Sequence, residues 1–224
     1  MGSDERARLL REAIRTIASR CPRMIAECYW AGTSAISLEE LGHRESFDLD
    51  FHSRHAFVDT RPFLAELQRA FPASLELIQA PDARGSGFSA VVEFGDERLS
   101  LQVFAAFEDV PDQDLVNSST ASQVLRVSLQ RYLADKVQCV LERIEARDLL
   151  DLRAVLRARP RLRYSFQRAV AAQDALLLAE RLLGWTDAAI REDLLAYPGV
   201  DPTDASAMRD ELLALLKTSK GDPR

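Results

Sequence analysis

The sequence predicts an α+β protein: a small mixed β-sheet with its helices in the first half of the chain, then an α-helical C-terminal region. Three observations lead there. Strand-like runs fall at residues 47–51, 75–79, 88–94 and 99–107. Helical periodicity takes over from about Leu125. Neither a repeat nor a low-complexity linker interrupts the chain. The composition shifts between residues 115 and 125, dividing the sequence into a core over 1–120 and a helical region over 121–224. This division is either a domain boundary or two layers over one core.

Each element has its own reason. Leu9, Leu10, Ile14 and Ile17 set an apolar stripe on a helix over 4–20, with arginines on its wet side. MIAECYW (24–30) is a candidate strand, and GTSAISLEELG turns into a short helix that Gly42 ends. FDLDF (47–51) alternates between apolar and acidic residues, which is strand periodicity. A helix with proline near its first turn is expected over 62–71. LELIQ, FSAVVEF and LSLQVFAAF follow as strands, the last two an antiparallel hairpin joined by GDE at 95–97. Helices are then expected near 128–146, 148–158, 164–184, 187–196 and 205–218.

The 224 residues are 47% hydrophobic and 29% charged, a globular profile that excludes disorder along the whole length. A formal charge of -6 gives no support to non-specific coating of nucleic acid. Apolar stretches are broken by charge well before 18 residues, so no membrane span is expected. The acids and arginines of MGSDERARLL do not make a signal peptide. Cys21, Cys28 and Cys139 have no metal or disulfide spacing and predict buried thiols in a cytoplasmic protein.

The densest chemistry is in FDLDF. On a strand, Asp48 and Asp50 share one face with Cα atoms roughly 6.5–7 Å apart, while Phe47, Leu49 and Phe51 take the other. Like charges so close repel. A divalent cation supplies the missing charge, and Mg²⁺ favours carboxylates together with substrate phosphates. The alternative is a half-exposed edge strand whose acids face water. Upstream, Gly32, Thr33 and Ser34 head a short helix, either offering N–H groups to a phosphate or simply capping it. An anion cradle beside a cation site suits nucleoside triphosphate chemistry.

Arg44 either meets a triphosphate or braces the loop through Glu45 or Asp48. His52 continues the face of the acids, whereas His55 is expected in a loop; with His43, these histidines lack the spacing of a zinc site. Of 29 lysines and arginines only three are lysines, and Lys136 is the one in the body of the chain, either a point charge for a phosphate or a solvated helix residue. Asp148 and Asp151 are neighbours on one helix face, flanked by Arg147 and Arg153. Arg153, Arg157, Arg159, Arg161, Arg163 and Arg168 run without an intervening acid. They could face solvent, RNA phosphates, an acidic partner or the acidic C-terminal third of the chain. No GxxxxGK[ST] loop or kinase glycine loop occurs.

The stretches YWAGTSAISLEELGHRESFDLDF and LADKVQCVLERIEARDLLDL together resemble the AbiEii-type nucleotidyltransferases, a family that includes toxin components of bacterial toxin–antitoxin and abortive-infection systems. The first pattern falls on Gly32, Thr33, Gly42, Arg44, Ser46, Asp48, Asp50 and Phe51, and the second on Lys136, Arg147, Asp148 and Asp151. The resemblance implies a polymerase-β-like core, two-metal Mg²⁺ chemistry and an NTP donor. It implies metal binding by Asp48 and Asp50, and nucleotide binding by Gly32, Thr33, Ser34, Arg44 and Ser46. It gives Lys136 and Asp148 catalytic or nucleotide-binding roles. A cognate antitoxin is the implied partner, with tRNA or another RNA as an acceptor that the arginine run would favour. Two positions depart from the pattern. Ala31 replaces the first glycine of the turn, and Gln102 stands where a third carboxylate is expected. Asp148 or another acid substitutes for it, the family does without it, or this copy is weakened.

Overall fold

The amphipathic N-terminal stretch forms helix α1 (Ser3–Arg20), which buries Leu10, Ala13, Ile14 and Ile17 at helical spacing. The computed structural model describes residues 3–218 apart from Phe47, Gly95, Ile144 and Pro198. Phe47 of the acidic run and Gly95 of the hairpin turn therefore lie outside the described residues. The chain divides into two compact units, one ending at Ser128 and the other beginning at Leu129.

The expected strand over 24–30 is corrected. Pro22 opens a short helix α2 (Pro22–Glu27), where its missing N–H costs nothing, and Glu66 accepts the N–H groups of Arg23 and Met24 at 3.1 and 2.9 Å. Only Cys28–Ala31 is strand β1, four consecutive buried residues. Helix α3 (Gly32–Ile36) follows and runs into a π-helical turn at Ser37–Leu41, which Gly42 closes at φ +57°. Strand β2 is Asp48–Ala56, longer than the alternating run suggested, and His55 lies within it rather than in a loop. A register shift after His52 is accommodated by buried Ser53, whose hydroxyl donates to His55 O and accepts Ala106 N–H. Helix α4 (Arg61–Ala70) and strands β3 (Leu75–Gln79), β4 (Gly87–Phe94) and β5 (Glu97–Ala106) follow as expected, with β4 and β5 an antiparallel hairpin.

Two strands of three residues, β6 (Leu115–Asn117) and β7 (Leu125–Val127), complete a seven-stranded mixed sheet of order β3-β4-β5-β2-β1-β7-β6. Strand β2 is thus central, parallel to β5 and antiparallel to β1. That removes the alternative of an edge strand, although Asp48 and Asp50 themselves are half-buried. One face of the sheet buries Leu49, Phe51, Phe88, Ala90, Val92, Leu101 and Val103; α2 packs on β1 and β2, and α1 and α4 pack with α2. The opposite face carries the acids.

The second unit is helical: α5 (Leu129–Glu142), α6 (Ala146–Ala158), α7 (Arg163–Ala171), α8 (Ala175–Gly184), α9 (Asp187–Asp193) and α10 (Pro202–Thr218). The single helix expected over 164–184 is two helices. Asp174 breaks it, because its carboxylate caps α8 by accepting the N–H groups of Leu176 and Leu177. Among the described residues, no helix is long and apolar enough to cross a membrane.

Candidate functional site

Alternation along β2 buries Leu49 and Phe51 and turns Asp48, Asp50 and His52 to the other face. The registers with β1, β5 and β4 order that face into rows across the sheet. Asp48 is level with Ser100 and Val91. Asp50 is level with Ala31, Gln102 and Ser89. His52 is level with Tyr29, Phe104 and Gly87.

Gly32 follows Ala31, so the start of α3 lies beside Asp50. Its φ is +73°, and a Cβ added there would lie 2.4 Å from Asp50 Oδ2. Glycine is required twice over, by the backbone and by the approaching carboxylate. Ala31, in contrast, is extended at φ -103°, a conformation that needs no glycine. Arg44 Nη2 donates to Thr33 Oγ1 at 2.9 Å and Nη1 to Glu45 O at 3.2 Å, so its guanidinium is drawn onto the glycine turn. The hydroxyl of Ser37 donates to Arg44 O and holds the returning loop. Ser34 is buried and accepts the indole N–H of Trp30 at 3.0 Å, which pins the turn to β1. Ser46 is half-buried two residues before Asp48.

The turn is further held by a clamp that no sequence motif announces. Glu39 accepts Ser119 N–H and Thr120 N–H, each at 3.0 Å, as well as the Ser118 hydroxyl and Arg126 Nε at 2.7 Å. Arg126 also donates to Glu40 at 2.6 Å. Burial alone would raise the Glu39 pKa, but the converging donors outweigh it and hold the carboxyl below its ordinary value. The β6–β7 hairpin is thereby fastened to the π-helical turn.

In the helical unit, Lys136 lies on the buried stripe of α5. Its Nζ is 2.7 Å from Asp148 Oδ1 and 2.8 Å from Asp151 Oδ2, with both acids fully buried. Arg143 forks onto Asp148 at 2.9 and 3.0 Å. Burial disfavours the lysine's charge, but Asp151 and Asp148 more than offset it and keep the ammonium charged. Lys136 is therefore neither a solvated surface residue nor an open cation. Arg147 instead meets Glu145 and the Tyr197 hydroxyl. Three of the six arginines of the run pair with acids within their own unit: Arg153 and Arg163 with Glu211, and Arg157 with Asp204. Of the roles open to that run, packing against the acidic C-terminal helix is the one these three side chains fulfil.

No protein-family model and no curated protein matches the sequence. Several solved chains match, among them two that cover nearly the whole chain. JHP933 from Helicobacter pylori is 17% identical, with 98% of this chain and 95% of that one covered at a TM-score of 0.53. A Helicobacter pylori protein designated a candidate nucleotidyltransferase is 18% identical, with 97% of each chain covered at a TM-score of 0.59. The chain shares the fold of these two structures. In that fold, the neutral amide of Gln102 stands level with Asp50. Among the described residues, no three His, Cys, Asp or Glu side chains are grouped to hold a metal ion. Asp48 and Asp50 form a pair, and any metal they hold must complete its shell from substrate and water.

Proposed function

We propose that this protein is a Mg²⁺-dependent nucleotidyltransferase that moves a nucleotide from an NTP to an acceptor. The reading rests above all on Asp48 and Asp50 sharing a face of the central strand, with Gly32 so close to Asp50 that no side chain fits at position 32. Mg²⁺ is commonly held by one or two carboxylates plus substrate phosphates, so this pair fits the ion without a third acid. When bound, the ion would neutralise charge on the transferring phosphoryl group. The chain's own residues position the substrate. Arg44, drawn onto the glycine turn through Thr33, offers its fork of donors to triphosphate oxygens. Ser34 acts from beneath by holding the turn on β1, and Ser46 leads the strand into the acid pair. Lys136 and Asp148, to which the AbiEii-like pattern gives catalytic or nucleotide-binding roles, enter this reading together as one buried charge network.

The AbiEii-like pattern extends the proposal to a toxin-type enzyme in the cytoplasm, restrained by a cognate antitoxin and acting on tRNA or another RNA. A second reading is a nucleotide- or partner-binding module without turnover. It is favoured by Gln102, which brings no negative charge to a second metal. Incubation with RNA and NTPs labelled at either the α- or the γ-phosphate separates the readings. The transferase predicts that α-label reaches the acceptor, γ-label does not, and Asp50→Asn abolishes transfer. Metal-dependent NTP binding with no transfer to RNA, protein or small acceptors would favour the binding module.

A further inference from the structure

One row of the sheet's acid-bearing face is aromatic. Tyr29, His52 and Phe104 lie level on β1, β2 and β5, with Gly87 of β4 next in line. The ring centroids of Tyr29 and His52 are 5.8 Å apart, as are those of His52 and Phe104. The fourth position is vacant of side chain for a physical reason. A Cβ at Gly87 would lie 2.8 Å from Phe104 Cδ1, so the phenyl ring leans across the sheet over the glycine. Phe104 nevertheless remains 41% exposed, unlike the buried phenylalanines on the other face of the same sheet. This row is two residues along β2 from the row of Asp50 and Gln102, roughly 6.5–7 Å. The glycine turn follows Ala31 in the direction away from this row, so Asp50 stands between the turn and the aromatic row.

We infer that Phe104 and His52 form a stacking subsite for a nucleobase, with the Gln102 amide placed to hydrogen-bond it or its sugar. This deepens the transferase reading and rests on it. An aromatic ring with an accessible face takes any base, because every base has a π-face. A neutral amide is both donor and acceptor, which suits base edges and ribose hydroxyls. Gln102 and Ser89, one row nearer the acids, set polar groups beside the rings. The base belongs either to the NTP or to the end of a polynucleotide acceptor, since both bring a base within a sugar's length of the reacting phosphate.

Phe104→Trp keeps the aromatic face and adds a fluorophore, while the native Trp30 and Trp185 stay buried. Quenching of the new tryptophan by Mg-ATP, but not by inorganic triphosphate, would place the donor's base on it. Quenching by a short oligoadenylate instead would place the acceptor's. Phe104→Leu keeps apolar bulk without a flat face, and should weaken whichever ligand stacks by roughly 5- to 150-fold. No quenching by either ligand, equal quenching by inorganic triphosphate, or affinities within twofold after Phe104→Leu would overturn the subsite. Asp48→Asn distinguishes this failure from failure of the parent reading. If it leaves Mg²⁺-dependent ATP affinity unchanged, the transferase reading fails and the subsite fails with it; if it removes that affinity while Phe104→Leu weakens neither ATP nor oligoadenylate binding, only the subsite fails.

Discussion

Gly32 is the residue on which the geometry of the acid pair turns. Its left-handed backbone costs an alanine about 1–2 kcal/mol in general, and its Cβ would also meet Asp50 Oδ2 at 2.4 Å. Gly42 is the natural control, since it has φ +57° and nothing within 4 Å of the position a Cβ would take. Gly42→Ala should therefore lose about 1–2 kcal/mol, and Gly32→Ala about 1–3 kcal/mol beyond that as Asp50 is displaced. Urea midpoints at constant m compare them. Equal losses would contradict the close approach of Asp50 to the turn. Much of this was legible at the level of single residues: alternation in FDLDF put both acids on one face, and Gly32 stood out as a turn residue. The role of Ser34 was not. A hydroxyl that binds a phosphate and one that accepts an indole N–H four residues back look the same in sequence. Phe104 was likewise hidden, because apolar alternation in LSLQVFAAF gives no sign that its ring would lean over Gly87 on a neighbouring strand.

At the scale of elements, long periodic segments were readable and short ones were not. Helices α1 and α4 and the β4–β5 hairpin carry enough residues to reveal their period. Strands β6 and β7, at three residues each, carry none, and they owe their place to the Glu39–Arg126 clamp between residues 87 positions apart. Helix α2 was masked by its apolar run into β1, and the α7–α8 break by apolar residues on both sides of Asp174. The clamp carries a pH dependence. Because the folded pKa of Glu39 is depressed, its contribution is fully present above the unfolded-state value of about 4.3 and is lost as pH falls through the lower, folded one. Glu39→Ala should cost about 3 kcal/mol at neutral pH, mainly by leaving buried Arg126 short of a partner. The difference from the parent protein should shrink steadily below about pH 4. Acid titrations of stability check this, with exchange of the Ser119 and Thr120 amides as the local reporter. A difference independent of pH would show that the Glu39 charge does not hold the hairpin.

At the scale of the whole molecule, an α/β unit bearing the acid pair is followed by a helical unit bearing the buried lysine network. The order of these two parts was readable from the shift in periodicity. The pairing of charges inside the helical unit was not, because Lys136 lies on α5 while its acids lie on α6, and Arg153, Arg157 and Arg163 find theirs on α10, some fifty residues away. Runs of like charge read in sequence cannot reveal partners that distant. The fold is shared with two solved structures, but the proposed activity stands on Asp48 and Asp50 acting together on a metal–nucleotide complex. Calorimetric titration of Mg-ATP against ATP in excess chelator, for the parent protein, Asp48→Asn and Asp50→Asn, tests that most directly. Binding should require Mg²⁺ in the parent and be weakened at least tenfold in each variant. Because each substitution relieves a repulsion between like charges, melting temperatures should be unchanged or raised. Mg²⁺-dependent affinity that survives both substitutions unchanged would contradict the joint action of the two acids.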